Sequence, residues 1–464
     1  MCSSDVSIAY NSKISYEIDD VRKMVSDALH LLKLDEENYG TSDWNPLGKY
    51  VHFGDKVLIK PNLVMHNNPS GEGTECLYTQ PSVVEAVIEY TIKALMGRGS
   101  IIVGDAPMQG CHFDELISKS GYSEMISRVK KQLLESNQNI TIELKDFRNT
   151  ISNTKKGVVI EKEIGSDGIT VNLANKSSFF GLSEDRIKNM RVTNYDPHIL
   201  QEHHTVGKHE YLIARDALKA DVVINMPKPK THRKAGVTGA LKNLVGMNSS
   251  KEYLPHHTRQ TGKIKGDAFL HKNFFLRMAD SFEDDKCVAE KCRRYKLALF
   301  YRYAGGACRH LGRKVSHEKY GEGSWYGNDT IWRTILDLNK ILQYADKNGK
   351  ICETRQRRFF NIGDMIISGE KDGPIRPSRK DVGIIIAGED PCSFDEVTTA
   401  LMGFETEKIP TIREMRKASP QLYLNADYKI KSNNNNWDGK SAEDICENFS
   451  LHFAPNPGWQ EALD

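Results

Sequence analysis

The densest group of side chains that could do chemistry lies in one stretch, NMPKPKTHRKAGVTGALKNLVG, at residues 225–246. Five of the seven residues at 228–234 are basic when His232 is counted. Pro227 and Pro229 keep this loop extended and remove backbone donors, so side chains rather than amides would meet a ligand. Lysines on a stiff loop bind phosphate or carboxylate well. A solvated basic loop is the alternative, but it would not need this proline spacing or the embedded residues Asn225, Thr238 and Asn243.

After this loop, residues 236–243 (GVTGALKN) can open a helix. The first amide N–H groups of a helix have no partner inside it and can receive an oxyanion. The loop and the helix start together predict an anion-binding site. Its substrate-binding residues are predicted to be Asn62, Asn225, Lys228, Thr238, Lys242 and Asn243.

A second candidate is Lys60, which precedes Pro61 and Asn62 at the end of an apolar run. A lysine at the end of a buried strand is desolvated, so it either pairs with a carboxylate or serves a function. Asp105 and Asp364 follow two other apolar runs in matching positions. They could hold Mg²⁺ together, act as a general base, or merely neutralise the lysines.

Catalytic roles are predicted for Lys60, Asp105, Lys230, His232 and Asp364, with Asp105 and Asp364 also the predicted magnesium ligands. His232 is the expected acid–base group because histidine titrates near neutrality. Asp395 comes two residues after Ser393, the predicted cap of a helix, and is interpreted as an acid favoured by the helix dipole.

Five short apolar runs precede polar loops of this kind, at residues 57–59, 101–103, 222–224, 359–362 and 382–386. Continuous β-branched runs are typical of strands buried on both faces, as in parallel sheets covered by helices. Helices are predicted between them at residues 81–95, 331–344 and 393–402. The sequence therefore predicts a Rossmann-like α/β fold, a mostly parallel sheet with helices on both faces. All five loops are expected at the carboxyl edge of this sheet, where such folds bind ligands.

Two segments interrupt this alternation. Residues 155–175 are predicted to form a small β-hairpin whose turn is Ser166-Asp167-Gly168. Residues 263–325 are basic and aromatic, and are predicted to be a helical insertion. The predicted parts are thus an N-terminal α/β part at 1–262, this insertion, and a C-terminal α/β part at 326–464 that completes the same sheet or forms a second lobe.

Composition excludes several classes of function. Lysine and arginine number 64 against 62 acidic residues, which is too balanced for a nucleic-acid binder that relies on overall charge. No apolar run approaches the roughly 20 residues that cross a bilayer, so no membrane partner is expected. The first residues carry acids where a signal peptide is apolar, which predicts a cytoplasmic protein. Nine scattered cysteines without a Cys-x-x-Cys pair argue against a ferredoxin-type cluster.

Familiar phosphate and nucleophile motifs do not occur. The sequence contains no G-x-x-x-x-G-K-[ST] loop, no G-x-G-x-x-G after a strand and no G-x-S-x-G. A standard NTPase, a Rossmann dehydrogenase and an α/β-hydrolase are therefore not indicated.

The order of the motifs resembles the family called domain of unknown function 362. The motifs that carry the resemblance are Lys60-Pro61-Asn62, Thr79 and Pro81, Gly104 to Pro107, the blocks 221–232 and 236–246, residues 336–339, Asp364, Gly373-Pro374, Ser393 with Asp395, and Met402-Gly403. The resemblance covers roughly residues 50–410. It implies no settled activity, and it implies an iron–sulfur link only in members with an appended ferredoxin module, whose Cys-x-x-Cys runs this chain lacks.

These observations lead to one preferred function and two alternatives. The preferred one is an enzyme, a transferase or isomerase rather than an oxidoreductase, acting on a phosphorylated or carboxylated metabolite by group transfer or proton-transfer isomerisation. The alternatives are a redox protein that partners an iron–sulfur or flavin carrier, and a non-catalytic ligand-binding protein. A homo-oligomer is compatible with all three.

Overall fold

The structure is a computed structural model that describes residues 4–165, 167–418 and 427–463. Its strands are β1 (Val6–Tyr10), β2 (Lys56–Pro61), β3 (Arg98–Asp105), β4 (Asn139–Asp146), β5 (Thr150–Lys155), β6 (Val158–Glu163), β7 (Gly168–Asn172), β8 (Met190–Arg191), β9 (His204–Thr205), β10 (Lys208–Ala214), β11 (Val222–Met226), β12 (Lys230–His232), β13 (Gly236–Thr238), β14 (His257–Thr258), β15 (Arg358–Asp372), β16 (Arg376–Gly388) and β17 (Ile430–Ser432).

Its helices are α1 (Ile18–Leu31), α2 (Pro81–Leu95), α3 (Phe113–Ser120), α4 (Tyr122–Glu135), α5 (Glu184–Lys188), α6 (Pro197–His203), α7 (Arg215–Lys219), α8 (Ala240–Asn243), α9 (Phe274–Lys291), α10 (Tyr295–Ser316), α11 (Ile331–Tyr344), α12 (Pro391–Met402), α13 (Pro410–Ala418), α14 (Ala442–Asn448) and α15 (Gln460–Leu463).

One large sheet positions the candidate site. Its strand order is β17-β1-β16-β15-β11-β2-β3-β4, and the short pair β12–β13 joins it beside β15. The five strands from β15 to β4 are parallel to one another. Helix α2 connects β2 to β3 and helices α3 and α4 connect β3 to β4, which is the crossover pattern that parallel strands require.

Both faces of this sheet are buried. Residues of α1 to α4 form one apolar core with one face of the sheet. Residues of α7, α8, α11 and α12 form a second core with the other face. The predicted α/β class, with a mostly parallel sheet and helices on both faces, is confirmed.

Strand β16 corrects the prediction that five loops share one edge. It runs antiparallel to both β15 and β1, so its carboxyl end lies at the opposite edge from the ends of β2, β3 and β11. There Glu389 contacts Lys49 and Tyr50, away from the predicted site. An apolar run buried on both faces carries no signal of strand direction, which is why the sequence did not reveal this.

Strand β15 also differs from the prediction, because it continues well past residue 362. Asp364 therefore lies inside a strand rather than in a loop, just beyond the point where β11 ends beside it. The following residues, 373–375, connect β15 directly to β16 as a hairpin.

The predicted helices at 81–95 and 331–344 are confirmed with the same bounds. The third helix begins at Pro391, and its cap is Asp390, whose side chain accepts the N–H groups of Cys392 and Ser393. Ser393 is therefore not the cap; its hydroxyl donates to the carbonyl of Ser4 at 2.9 Å.

The predicted small hairpin exists, but its position was wrong. Strands β5 and β6 pair with Lys155 opposite Val158, so the turn is Lys156-Gly157, and both of these residues have positive φ. This is the turn geometry that favours a two-residue hairpin. Strand β7, which contains Gly168, pairs instead with β10. Of the predicted turn, Ser166 lies outside the described residues.

The predicted insertion at 263–325 contains the two long helices α9 and α10. The hairpin β5–β6 contacts both helices, with the Arg302 Nη1 donating to the carbonyl of Gly157 at 2.6 Å. The boundaries of the three predicted parts stay a prediction. In the described part of the chain, no helix combines the length and the apolar character needed to cross a membrane.

Candidate functional site

Lys60 lies at the carboxyl end of β2 and is almost fully buried. Its Nζ forms an ion pair with Asp105 Oδ1 at 2.7 Å and donates to Asn243 Oδ1 at 2.9 Å. The other carboxylate oxygen of Asp105 accepts the N–H of Leu63 at 2.8 Å. Three segments distant along the chain thus meet at one buried cation. Lys60 was expected either to pair with a carboxylate or to serve a function, and the structure contains the ion pair.

Lys228 forms a second buried ion pair, with Asp364 at 2.9 Å. Both partners also bind the hydroxyl of Tyr16. Lys228 donates to this oxygen at 2.8 Å, and the hydroxyl donates to Asp364 Oδ1 at 2.8 Å. Burial, followed by the nearby carboxylate of Asp364, raises the pKa of Tyr16 well above its ordinary value, so the phenol keeps its proton. Nothing in the sequence around Tyr16 signalled this role, because its partner lies 348 residues away.

The two carboxylates do not face one cation, which corrects the prediction that Asp105 and Asp364 share Mg²⁺. They lie on β3 and β15, and β11 and β2 run between these strands. Three strand spacings separate them, about 14 Å. A Mg²⁺ ion bonds its oxygen ligands at about 2.1 Å. Each carboxylate instead neutralises its own lysine.

Lys230 has no carboxylate partner among the residues that the structure describes. Its Nζ donates to Asn62 Oδ1 at 2.9 Å and to the carbonyl of Leu77. Burial lowers the pKa of Lys230 well below its ordinary value, and the neighbouring charge of Lys228 lowers it further. This cation is held only by neutral oxygens, so an additional negative charge nearby would stabilise it.

Lys242 and Lys251 lie at the accessible side of the same group. Both are partly exposed, and neither has an ion pair among the described residues. Burial lowers the pKa of Lys242 to about 8, and the charge of Lys60 contributes in the same direction. Burial likewise lowers the pKa of Lys251 to about 7, although the carboxylate of Asp105 opposes that change. The Nζ of Lys251 donates to the carbonyl of Ala106 at 2.7 Å.

A chain of asparagine side chains supports these lysines from beneath. Asn243 donates to Asn225 at 2.8 Å, and Asn225 donates to Asn361 at 2.9 Å. Asn243 Oδ1 also accepts from Asn62 at 3.0 Å. Three of these four amides are fully buried, so the network fixes the positions of β2, β11, β15 and α8 relative to one another.

Thr238 is buried, and its hydroxyl has no hydrogen-bond partner among the described residues. It lies opposite Lys230 in the pair β12–β13. A buried hydroxyl without a hydrogen-bond partner lowers the stability of the fold, so such groups often bind a ligand or an ordered water.

The amides at the start of α8 are not free to receive an oxyanion, which corrects the prediction. The carboxyl group of Asp395 accepts the N–H of Ala240 at 2.5 Å and that of Leu241 at 3.1 Å. Asp395 is therefore not an acid at the start of its own helix; it lies inside α12 and caps α8. Burial raises the pKa of this carboxyl to about 8. The anion site must depend on the lysine side chains instead.

His232 is buried, and its Nδ1 accepts the N–H groups of Lys234 and Ala235, both at 3.1 Å. Burial and the positive charge of Lys242 lower the pKa of His232 well below its ordinary value. The neutral ring thus closes a local turn. Burial, followed by the positive charges of Lys234 and Lys242, also lowers the pKa of the partly exposed His256.

The structure therefore brings most of the predicted site residues together in one largely buried group beyond the carboxyl ends of β2, β3 and β11. These are Lys60, Asn62, Asp105, Asn225, Lys228, Lys230, Thr238, Lys242, Asn243 and Asp364. We call this the lysine crevice. Its accessible side is formed by Asn62, Lys242, Gly246, Lys251 and His256, which are all partly exposed. The sequence-based prediction of the site included none of Tyr16, Lys251 and His256.

A group of possible metal ligands lies on the segments that follow β2 and β3. His66, His112 and Glu115 place ligand atoms within 4.8 Å of one another. The Nδ1 of His66 accepts the N–H of His112 at 3.1 Å, whereas its Nε2 lies 3.9 Å from Oε2 of Glu115.

Comparison with known proteins gives a family match over most of the chain and a curated relative over part of it. A family model with the description "Domain of unknown function (DUF362)" matches residues 57–177 and 153–400. A thylakoid-associated protein from Synechocystis sp. is 26% identical over 205 residues, which is 44% of this chain and 43% of that protein.

Two solved structures are distant likenesses. A protein from Thermotoga maritima has a TM-score of 0.31 at 10% identity, over 82% of this chain and 58% of that one. The lactate racemase apoprotein from Thermoanaerobacterium thermosaccharolyticum has a TM-score of 0.26 at 12% identity, over 83% of this chain and 54% of that one. These TM-scores are too low to indicate a shared function. The chain spans less than half the length of the curated relative from Synechocystis sp..

The family match includes both lysine-bearing segments of the crevice, around Lys60 and at residues 225–246. It confirms the resemblance that the motifs indicated. Because the family model matches well over half of the chain, the chain belongs to the DUF362 family.

Proposed function

We propose that the protein is an enzyme that binds a phosphorylated or carboxylated small molecule in the lysine crevice. The observation that carries this proposal is an excess of positive charge. Lys60 and Lys228 each have a carboxylate partner, whereas Lys230, Lys242 and Lys251 have none among the described residues. Keeping Lys230 away from water, and Lys242 and Lys251 only partly exposed to it, is costly for their charged forms, and an anionic ligand would offset this cost.

The lowered pKa values support proton transfer as the chemistry. A lysine whose pKa lies near 7 or 8 is partly neutral at physiological pH and can both accept and return a proton. Lys242 and Lys251 meet this condition and are accessible to a ligand. Isomerisation by proton transfer is therefore the preferred reaction class, and group transfer is the second. Lys60 and Lys228, which are held by Asp105 and Asp364, would orient the anion rather than exchange protons.

His232 is a weaker candidate for acid–base chemistry than the sequence predicted. Its Nδ1 is occupied by two backbone N–H groups, and its pKa is well below neutrality. In this proposal the neutral ring fixes the shape of the lysine loop.

Binding is tested by thermal unfolding in the presence of inorganic phosphate, pyrophosphate, citrate and malonate. We expect at least one of these anions to raise the Tm of the wild type, and to raise it less in Lys242→Met. The matched control is Lys347→Met, because Lys347 is exposed and lies in the turn between α11 and β15. A control variant that loses the response as fully as Lys242→Met contradicts the assignment of the site.

Turnover is tested by incubating the enzyme in D₂O with carboxylates and sugar phosphates, and recording NMR spectra. Deuterium incorporation at carbon, or formation of an isomer, supports proton transfer. A ligand that stabilises the protein but is recovered unchanged and unlabelled, with no group transferred, indicates a non-catalytic binding protein and contradicts the enzymatic part of the proposal.

A further inference from the structure

Helix α10 packs with its small residues inward. Ala298, Gly305 and Gly312 are its buried residues, spaced seven apart along the side that faces α9. A Cβ added at Gly312 would lie 2.7 Å from Leu276, and one at Gly305 would lie 3.1 Å from Phe282. The glycines therefore permit a close helix–helix contact, and this contact leaves the large apolar residues of α10 on its other side.

Those large residues are exposed together on one face. Phe300 is 60% exposed, Tyr303 is 73% exposed and Val315 is 66% exposed, and Leu311 lies between them in the same stripe. At 3.6 residues per turn, positions 300, 303, 311 and 315 fall within an arc of about 120°. We call this stripe the outer face of α10. Single exposed apolar residues are ordinary, but a continuous apolar face on a surface helix indicates a partner.

The charge of α10 indicates the chemistry of that partner. Residues 295–316 contain Lys296, Arg302, Arg309, Arg313 and Lys314, and no Asp or Glu. Lys296 and Lys314 are both exposed and fall within the arc of the outer face. They lie near the two ends of the helix. A partner must therefore be negatively charged and must also accept aliphatic and aromatic side chains.

We propose that the outer face of α10 docks onto the surface of an anionic lipid bilayer. A helix with exposed Phe, Tyr, Leu and Val beside lysines lies in the headgroup region, where the apolar groups enter the acyl boundary and the lysines meet phosphates. Such docking needs no membrane-spanning helix. It departs from the sequence-based expectation of no membrane partner, which rested on the lack of an apolar run long enough to cross a bilayer.

Two other partners fit less well. A second copy of this chain would bring the same acid-free helix against itself, so the two basic faces would repel each other. Nucleic acid would satisfy the lysines and arginines, but it offers little to the aliphatic side chains of Leu311 and Val315. A lipid surface satisfies both groups of side chains.

The test is co-sedimentation of the full chain with vesicles. We expect binding to vesicles of 30% phosphatidylglycerol in phosphatidylcholine, and at least about tenfold weaker binding to pure phosphatidylcholine. Phe300→Ser combined with Leu311→Ser should weaken binding to the anionic vesicles at least about tenfold. Phe53→Ser is the matched control, because Phe53 is 56% exposed and lies just before β2, outside α10. This variant should bind vesicles like the wild type.

A second variant separates charge from apolar contact. Lys296→Glu with Lys314→Glu keeps the apolar stripe and should lose the preference for anionic vesicles. Far-ultraviolet circular dichroism confirms that each variant is folded. Absence of vesicle binding by the wild type overturns the proposal, as does equal binding by all variants. A dimer in gel filtration that Phe300→Ser with Leu311→Ser converts to a monomer would also overturn it, since the face would then be an interface between copies.

Discussion

Lys242 is the residue on which the binding site most directly depends. It is partly exposed at the entrance of the lysine crevice, it lacks a carboxylate partner in the part of the chain that the structure describes, and its pKa is lowered to about 8. Because the folded state holds this proton less tightly than the unfolded chain, the ammonium form opposes folding below pH 8. The cost should decline as pH rises from about 8 to about 10.4, the ordinary lysine value.

We therefore expect Lys242→Met to weaken anion binding and to stabilise the ligand-free protein. The expected gain in the free energy of unfolding at pH 7 is about 1 kcal/mol, since partial exposure moderates the cost of the charge. Urea unfolding at pH 7 and at pH 10 measures it, and the difference between variant and wild type should shrink at the higher pH. A variant that is less stable than the wild type at pH 7 would show that the lysine is a structural residue.

Gly246 is a second residue with a sharp consequence. A Cβ at this position would collide with Asp105 Oδ1, and it would lie 2.7 Å from Lys60 Nζ. Gly246→Ala should therefore disturb the buried ion pair and destabilise the protein by about 2 kcal/mol. The matched control is Gly306→Ala, at an exposed position inside α10 with nothing within 4 Å of the added carbon. Chemical denaturation of both variants tests this, and equal stability of Gly246→Ala and the wild type would contradict the described packing.

At the scale of elements, the contact between α12 and α8 fixes the start of α8, the helix that carries Lys242 and Asn243. Asp395 on α12 accepts two N–H groups at the start of α8, and its pKa is raised to about 8. The folded state therefore keeps a proton that the unfolded chain releases above its ordinary pKa. Stability should fall from this cause as pH rises from about 4 to about 8.

Replacement of Asp395 separates shape from charge. Asp395→Ala should cost about 2 kcal/mol, because two buried N–H groups lose their acceptor. Asp395→Asn keeps the shape and one acceptor, and it should remove this contribution to the pH dependence between pH 4 and pH 8. Thermal unfolding across that range measures both effects; an Asn variant with the full pH dependence of the wild type would contradict the assigned protonation.

The sequence revealed the elements of the crevice better than their contacts. The apolar runs before Lys60, Asp105 and Asn225 predicted three strands, and parallel strands bring their carboxyl ends together. The direction of β16 was not predictable, since a run buried on both faces looks the same either way. Contacts such as Tyr16 with Asp364 join residues 348 apart, and no local pattern records them.

The same limit explains the two chemical corrections. Matching positions after strands suggested that Asp105 and Asp364 could share a cation, but strand order decides their separation, and order is a property of the whole sheet. A free helix start at residue 240 was a sound inference from the local sequence. The residue that occupies it comes from 155 positions further along.

At the scale of the whole molecule, an ion pair joins the end of α9 to the segment that carries Lys251 of the lysine crevice. Lys291 at the end of α9 pairs with Glu252 at 3.1 Å, and Glu252 follows Lys251 of the crevice directly. The insertion therefore packs beside the accessible side of the crevice.

The proposed function requires that the unpaired lysines of the lysine crevice bind an anion. A crystal structure of the protein soaked in sodium tungstate at pH 7 tests it most directly, because tungsten is located by its anomalous scattering. We expect a tungstate ion within hydrogen-bonding distance of Lys242 Nζ and close to Lys230 or Lys251. Tungstate bound only elsewhere, or a structure in which Lys60, Lys230 and Lys242 face different sides of the molecule, would contradict it.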